Sequence, residues 1–142
     1  MPELPEVETV RKGLENLLNG FLIEKIEVLK ERSIASYGGS KDFIKNVQYS
    51  YLGNWDRRGK YLIGSLYAKE RESKGYIVVH LRMTGQFKFQ KKQNIPCKHT
   101  RVRFFDNLDN ELRFIDIRNF GQMWYVPPSK SISEIVPGIN RL

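Results

Sequence analysis

The 142-residue chain has one cysteine, Cys97, which excludes an internal disulfide and any cysteine-rich zinc site within these residues. No apolar run approaches the roughly 20 residues that span a bilayer. The acidic start lacks the basic-then-apolar pattern of a secretory leader. These absences point to a cytoplasmic protein or one of an organelle matrix. Internal repeats and low-complexity stretches are absent too. With 40% hydrophobic and 28% charged residues, the chain reads as one soluble domain with a sizeable core.

Positive charge is abundant, at a formal +8 with pI near 9.6. It is bunched in Arg57-Arg58-Gly59-Lys60, in residues 88–92, and from Lys98 to Arg103. Trp55, Tyr61, Phe87, Phe89, Phe104 and Phe105 lie among or beside these runs. A basic surface kept for solubility needs no such bunching. The mixture fits a polyanion held through its backbone, with bases stacked on rings.

Val7, Val10, Leu14, Leu17, Leu18 and Phe21 recur at helical spacing and form one apolar stripe, with Gly20 as the stop. Extended backwards, the same phase puts Glu3 inside the stripe and Glu6 about 20° beyond its edge. Acids at a helix start commonly just complement the macrodipole. That role does not require them on the protein-facing side, so the phase favours a function. Beyond the helix, strands are expected at 21–30, 47–56, 60–67, 76–81, 86–90, 100–106, 111–115 and 122–126. A loop at 36–40, a helical turn at 41–47, a hairpin turn at 106–110 and a short helix at 131–135 complete the pattern. The fold class is mainly β with flanking α, a two-layer antiparallel β-sandwich of about eight strands carrying an N-terminal helix and a short C-terminal one.

The first residues hold latent chemistry. Removal of Met1 would expose the Pro2 amine. An N-terminal amine has a reference pKa near 7.7–8.0 against about 10.4 for lysine, so far more of it is free base at neutral pH. A secondary amine attacking a sugar C1′ gives an iminium that cannot shed its charge by losing an N–H proton, and this electron sink eases β-elimination of the 3′ phosphate. Glu3 could protonate the ring oxygen and shuttle protons if partial burial raised its pKa.

Met1 to Glu8 (MPELPEVE) resembles the N-terminus of formamidopyrimidine-DNA glycosylases. Arg57 to Leu62, His80 to Gly85, Lys98 to Arg101 and Asp116 to Gly121 resemble four further motifs of that family, in the same order. The resemblance implies base-excision repair by a bifunctional glycosylase and abasic-site lyase that removes 8-oxoguanine and formamidopyrimidines. Its partner would be double-stranded DNA holding oxidised purines or abasic sites. By the same resemblance Pro2 is the nucleophile, Glu3 the general acid and base, and Glu6 a support for the sugar or the N-terminal network. Lys60 and His80 would bind phosphates, with Lys98 and Arg101 belonging to a further DNA-binding motif. Met83, Arg118 and Phe120 would fill the gap left by an extruded base, Arg118 bonding the orphaned cytosine.

Composition alone reads several of these differently. Lys60 would be a solvated charge, His80 a structural residue, Met83 and Phe120 core, and Arg118 a surface partner of Asp116. The adjacent Gly85 and Gly121 argue for exposed loops at Met83 and Phe120. The resemblance makes residues 1–142 the N-terminal catalytic sandwich, without the family's helix–two-turn–helix and four-cysteine zinc finger. No zinc or other cofactor is therefore expected, the Pro137–Leu142 end reads as a boundary, and these residues alone should bind DNA weakly and excise little. Gln122-Met123-Trp124 has a cyanobacterial or plastid flavour. Two alternatives stand beside this reading. One is an endonuclease VIII-like glycosylase for oxidised pyrimidines, whose N-terminus typically carries Gly where this chain has Leu4. The other is a non-catalytic DNA-binding sandwich module.

Overall fold

The computed structural model describes residues 4–91 and 95–140. Helix α1 (Leu4–Leu18) is followed by β1 (Lys25–Val28), a 3-10 turn (Glu31–Ser33) and α2 (Gly39–Val47). Then come β2 (Tyr51–Arg58), β3 (Tyr61–Tyr67), β4 (Ser73–His80), β5 (Gly85–Lys91), β6 (Thr100–Phe105), β7 (Asn110–Asp116), β8 (Gln122–Val126) and a short α3 (Ile132–Ile135). The strands form two antiparallel four-stranded sheets, ordered β1-β6-β7-β5 and β2-β3-β4-β8. The expected sandwich with its two flanking helices is present.

The core lies between the sheets, where Leu62, Leu66, Ile77, Val79 and Met123 of one sheet meet Val102, Phe104, Leu112 and Phe114 of the other. The second sheet is buried on its other face as well. Tyr61, Ile63, Val78, Trp124 and Val126 pack there with Val136 and Ile139, carried by the segment around α3. That double burial explains the nearly unbroken apolar runs of β3 and β4. Ser131 and Glu134 close a capping box at the start of α3. The outer face of the first sheet is charged instead. Glu111, fully buried, accepts paired hydrogen bonds from both Arg103 and Arg113, and Arg103 reaches on to Glu27 at 3.0 Å.

Helix α1 docks against β2. Val7, Leu14 and Leu18 are buried, Glu15 accepts the Trp55 amide, and Arg11 donates to the Trp55 carbonyl at 3.1 Å. Leu17, placed on the apolar stripe by its spacing, is 60% exposed instead, because the packed face is narrower than the stripe. The strand expected over 21–30 is shorter for a topological reason. Leu22 bridges Tyr51 of the second sheet, whereas Lys25–Val28 pairs with β6 of the first, so the segment crosses between layers. β4 begins earlier than expected, at Ser73, because Gly75 (φ 100°) lets the backbone lie against the Val126 carbonyl where a Cβ would sit 2.0 Å away.

The ring-and-charge mixture also resolves differently from the expectation. Trp55, Tyr61, Phe104 and Phe105 are buried, and Phe87 and Phe89 pack against the core. Successive strand side chains point to opposite faces and both faces are covered here, Phe104 in the core and Phe105 under the Arg103 guanidinium at 4.7 Å, so these rings are not presented to bases. Arg103 likewise turns to Glu111.

Candidate nucleic-acid interface

Strand register brings the predicted site residues to one end of the sandwich. Arg58 pairs with Tyr61, Tyr61 with His80 and His80 with Gln122, forming one terminal row of the second sheet. Gly85 pairs with Asp116 at the neighbouring end of the first. The β2–β3 turn, the loop at 81–84 and the loop at 117–121 therefore lie together. The start of α1 is tied to the same end, because Glu8 accepts from both Arg11 (2.8 Å) and Arg57 (3.0 Å). Pro2 and Glu3 fall outside the described residues. Glu6 lies exposed in the first turn of α1.

Lys60 is the second residue of a two-residue hairpin turn whose first, Gly59, has φ 60°. That position of a type II′ turn calls for glycine. Arg57 fixes the turn further by donating to the Gly59 carbonyl at 3.1 Å. The Glu8 carboxyl, gripped by two guanidinium groups, is held at about 2. It stays ionised and keeps Arg57 directed across to α1.

His80 is almost fully buried, and the edge of its ring meets Tyr61 at a centroid distance of 4.6 Å. Burial, with the charges of Arg82 and Lys60 adding to it, pushes its pKa down to about 4. At neutral pH it is an uncharged imidazole. Its Nδ1 accepts the Arg82 amide at 3.0 Å, so the proton is on Nε2, which is left as the donor.

Met83 and Phe120 are exposed by 47% and 44%. Among large apolar side chains that is the opposite of core burial, and it agrees with the placement argued from the neighbouring glycines. Arg118, two residues before Phe120, is exposed as well and donates to the Met83 sulfur at 3.5 Å. Each apolar tip is preceded by a residue in the left-handed region, Arg82 (φ 55°) before Met83 and Asn119 (φ 62°) before Phe120. Such backbone is uncommon outside glycine and concentrates at functional sites. Arg82 is held there by its amide bond to His80 and by its guanidinium on Gln122.

The residue that assembles the two loops is Asp116, which composition alone would pair with Arg118 at the surface. It is instead fully buried. One carboxylate oxygen accepts from the Thr84 hydroxyl and the other from the Gly121 amide at 2.7 Å. Thr84 in turn accepts the Arg118 amide at 3.0 Å. A Cβ on Gly121 would stand 2.7 Å from the Phe114 ring and 2.8 Å from the Asp116 carboxylate, so glycine is needed for that approach. The Asp–Thr–Gly contacts join positions 32 residues apart, and no local sequence signal announces them.

Lys98 is exposed near this end. Arg101 is half-buried and spends two donors on the carbonyls of Asp116 (2.8 Å) and Lys98 (3.4 Å), bracing the strand end that carries Asp116. Among the described residues, no three His, Cys, Asp or Glu side chains cluster as metal ligands would, and no helix is long and apolar enough to cross a membrane. The result is a rim with fixed cations at Lys60 and Arg118, a neutral N–H donor at His80, and a projecting Met–Arg–Phe cluster. It is suited to phosphates beside an opened base stack.

Comparison with known proteins agrees with this architecture. A family model described as the formamidopyrimidine-DNA glycosylase N-terminal domain matches residues 1–123. The chain is 75% identical over 142 residues to a protein named formamidopyrimidine-DNA glycosylase from Prochlorococcus marinus strain NATL1A, covering all of this chain and 50% of that protein. It is 57% identical over 146 residues to the protein of that name from strain MIT 9211, covering 51% of it. The chain thus spans about half the length of the relatives it matches. Among solved structures, Lactococcus lactis Fpg with abasic-site DNA superposes with a TM-score of 0.80 at 30% identity, over 89% of this chain and 45% of that one. A complex of LlFpg with THF-DNA and an inhibitor gives a TM-score of 0.83 at 29% identity, over 94% and 47%.

Proposed function

The chain belongs to the formamidopyrimidine-DNA glycosylase family, matched along its N-terminal domain, and from that premise we propose that it provides the catalytic half of a base-excision repair enzyme for oxidised purines. The observation that carries this reading is the cluster of Met83, Arg118 and Phe120, exposed on two loops that one buried aspartate holds together. Two exposed large apolar side chains on loops that also carry a guanidinium have little use on a free surface. Together they can occupy the space left by an extruded base and bond the base opposite.

In the proposed reaction the free-base Pro2 nitrogen forms a bond to C1′ of the damaged nucleotide as the glycosidic bond breaks, and the base departs with the glycosidic electron pair and takes up the proton that the Pro2 N–H gives up. Glu3 delivers a proton to the sugar ring oxygen, so that the ring opens to a cationic iminium. The Glu3 carboxylate left by that transfer then takes a C2′ proton, the electron pair of the C–H bond forms the new double bond, and the 3′ phosphate leaves with the electron pair of the C3′–O bond. Glu6 supports the N-terminal network. Lys60 and His80 hold phosphates beside the lesion. His80 contributes an N–H and no charge, so its contact is unchanged across neutral pH. Lys98 and Arg101 support the DNA backbone further along. No metal or cofactor takes part in these steps. The setting is the cytoplasm of a bacterium, a reading supported by the bacterial relatives.

The test is covalent trapping. The 142-residue chain, with removal of Met1 verified by mass spectrometry, is mixed at low salt with duplexes holding an abasic site or 8-oxoguanine and reduced with borohydride. A protein–DNA band is expected with the abasic duplex, lost in Pro2→Gly and Glu3→Gln. Specific DNA complexes bury roughly 1,000–2,500 Å² of protein surface, so this half of the family's length should trap weakly and only at high protein concentration. The absence of a band with a free Pro2 amine would overturn the catalytic reading for this chain.

A further inference from the structure

Phe120 has a neighbour that neither loop supplies. The Arg32 guanidinium lies over its ring, 5.3 Å from the centroid. Arg32 is the middle residue of the 3-10 turn, and that turn is anchored on both sides. On one side Glu31 reaches the start of α2, where its carboxylate accepts the Ser40 amide (2.8 Å) and the Ser40 hydroxyl (2.5 Å). These bonds hold the Glu31 carboxyl below its ordinary pKa. On the other side the chain joins β8 immediately after the turn, through an Ile34–Met123 bridge and an Ala35 amide bonded to the Met123 carbonyl at 2.8 Å. Ser33 is buried between these anchors. Met123 lies three positions beyond Phe120, so the turn is fixed to the element that follows the Phe120 loop.

We propose that Arg32 is a positioning residue for Phe120 and sets the ring for entry into the DNA stack. This rests on the reading of Phe120 as an inserting side chain. An exposed ring on a loop would otherwise fold down onto the nearest apolar surface. A guanidinium held over one face keeps that face occupied by a hydrated cation, and the ring edge then points outward. The flat guanidinium also suits a ring that must slide between bases, since it can stack with the ring and still face solvent. A bare positive charge at the same place would attract phosphate and would not orient the ring. The anchors matter for the same reason, because an arginine on a loose loop would lose its own freedom on stacking and gain little.

The experiment uses the 142-residue chain and a duplex in which 2-aminopurine adjoins a stable abasic analogue, so that insertion of a side chain unstacks the probe and raises its fluorescence. The wild-type chain should give the rise. Arg32→Ala should lower the inserted fraction roughly two- to five-fold, the range a surface cation–π contact provides, and Arg32→Lys should recover only part of it. Affinity for an undamaged duplex should hardly change. In a Phe120→Ala background, Arg32→Ala should have no further effect. The inference is overturned if Arg32→Lys behaves as wild type and Arg32→Ala weakens damaged and undamaged duplexes equally, with the salt slope reduced by about one, since Arg32 would then be a plain phosphate contact. It is also overturned if Arg32→Ala leaves the fluorescence rise intact. A chain that traps abasic DNA with borohydride but never raises the fluorescence would overturn the inference and leave the proposed chemistry standing. A chain that does neither would remove both.

Discussion

Two buried aspartates end neighbouring strands, Asp106 just beyond β6 and Asp116 closing β7, and they do opposite kinds of work. Asp106 closes a turn on itself. Its carboxylate accepts the amides of Leu108 (2.9 Å) and Asn110 (2.8 Å) and the Asn110 side chain (3.0 Å). All of these partners lie within residues 106–110. Asp116 binds nothing so near. Its carboxylate ties Thr84 to Gly121, its amide donates to the His99 carbonyl at 2.9 Å and its carbonyl accepts from Arg101. One aspartate makes a turn, and the other makes three separate segments into one surface. The same residue type at the end of a strand can thus serve local geometry or a functional rim, and only the span of its bonds tells which.

Removing the longer-range aspartate should break the contrast most sharply. Asp116→Ala leaves a half-buried hydroxyl and a buried amide without an acceptor and should cost about 3 kcal/mol. Urea unfolding would measure it. Hydrogen exchange should rise at both Arg118 and Gly121, which lie on the far loop, and 2-aminopurine insertion should fail with it. Asp116→Asn, which can accept one bond but not both, should lie between. Stability equal to wild type would show that the loops are held by something else.

The end held by Asp116 should also be the acid-sensitive one, because His80 is buried there. Its pKa falls from 6.5 to about 4 on folding, so between those values the unfolded chain binds more protons than the folded one. Stability is therefore full above pH 6.5 and is lost as pH falls towards 4. The loss at pH 5 should be about 2 kcal/mol. Glu8 and Glu111, whose pKa values are lowered from 4.5, contribute in the same direction, chiefly as pH falls below 4.5. Urea midpoints at pH 7 and pH 5 should differ for the wild-type chain and much less for His80→Asn. Equal slopes in the two proteins would remove His80 as the cause.

The smallest effect is expected at the local turn. Asp106→Ala should cost about 1 kcal/mol, speed exchange at Leu108 and Asn110, and leave trapping and insertion of DNA unchanged. A loss of DNA insertion in this variant would erase the distinction between the two aspartates.

That distinction also explains what could be read from the chain. The 106–110 turn, the short helix expected at 131–135, and eight strand segments were all legible, because each depends on residues a few positions apart. Exposure of Met83 and Phe120 was legible through the glycines beside them, although the physical need for Gly121 is the approach to Phe114 and Asp116. What escaped was non-local. Asp116 looked like a surface charge because its partner Thr84 lies 32 positions away. Arg32 gave no signal because the ring it covers lies on a loop 88 positions later. The buried rings at Phe104 and Phe105 looked available because a sequence gives alternation without saying that both faces of a strand are covered. Pro2 and Glu3 carry the clearest chemical signal and fall outside the described residues, so their part in the site rests on the family motif.

The β2–β3 turn fixes the place of Lys60 by counting. With Arg58 paired to Tyr61, only Gly59 and Lys60 lie between the strands. One inserted residue would exchange the two faces of β3, moving Leu62 away from the sandwich core and Tyr61 away from His80 and Pro137. The chain can therefore vary in length more freely at the five-residue β3–β4 connection over 68–72. Any drift in length at 59–60 would disrupt the fold before it could shift the cation.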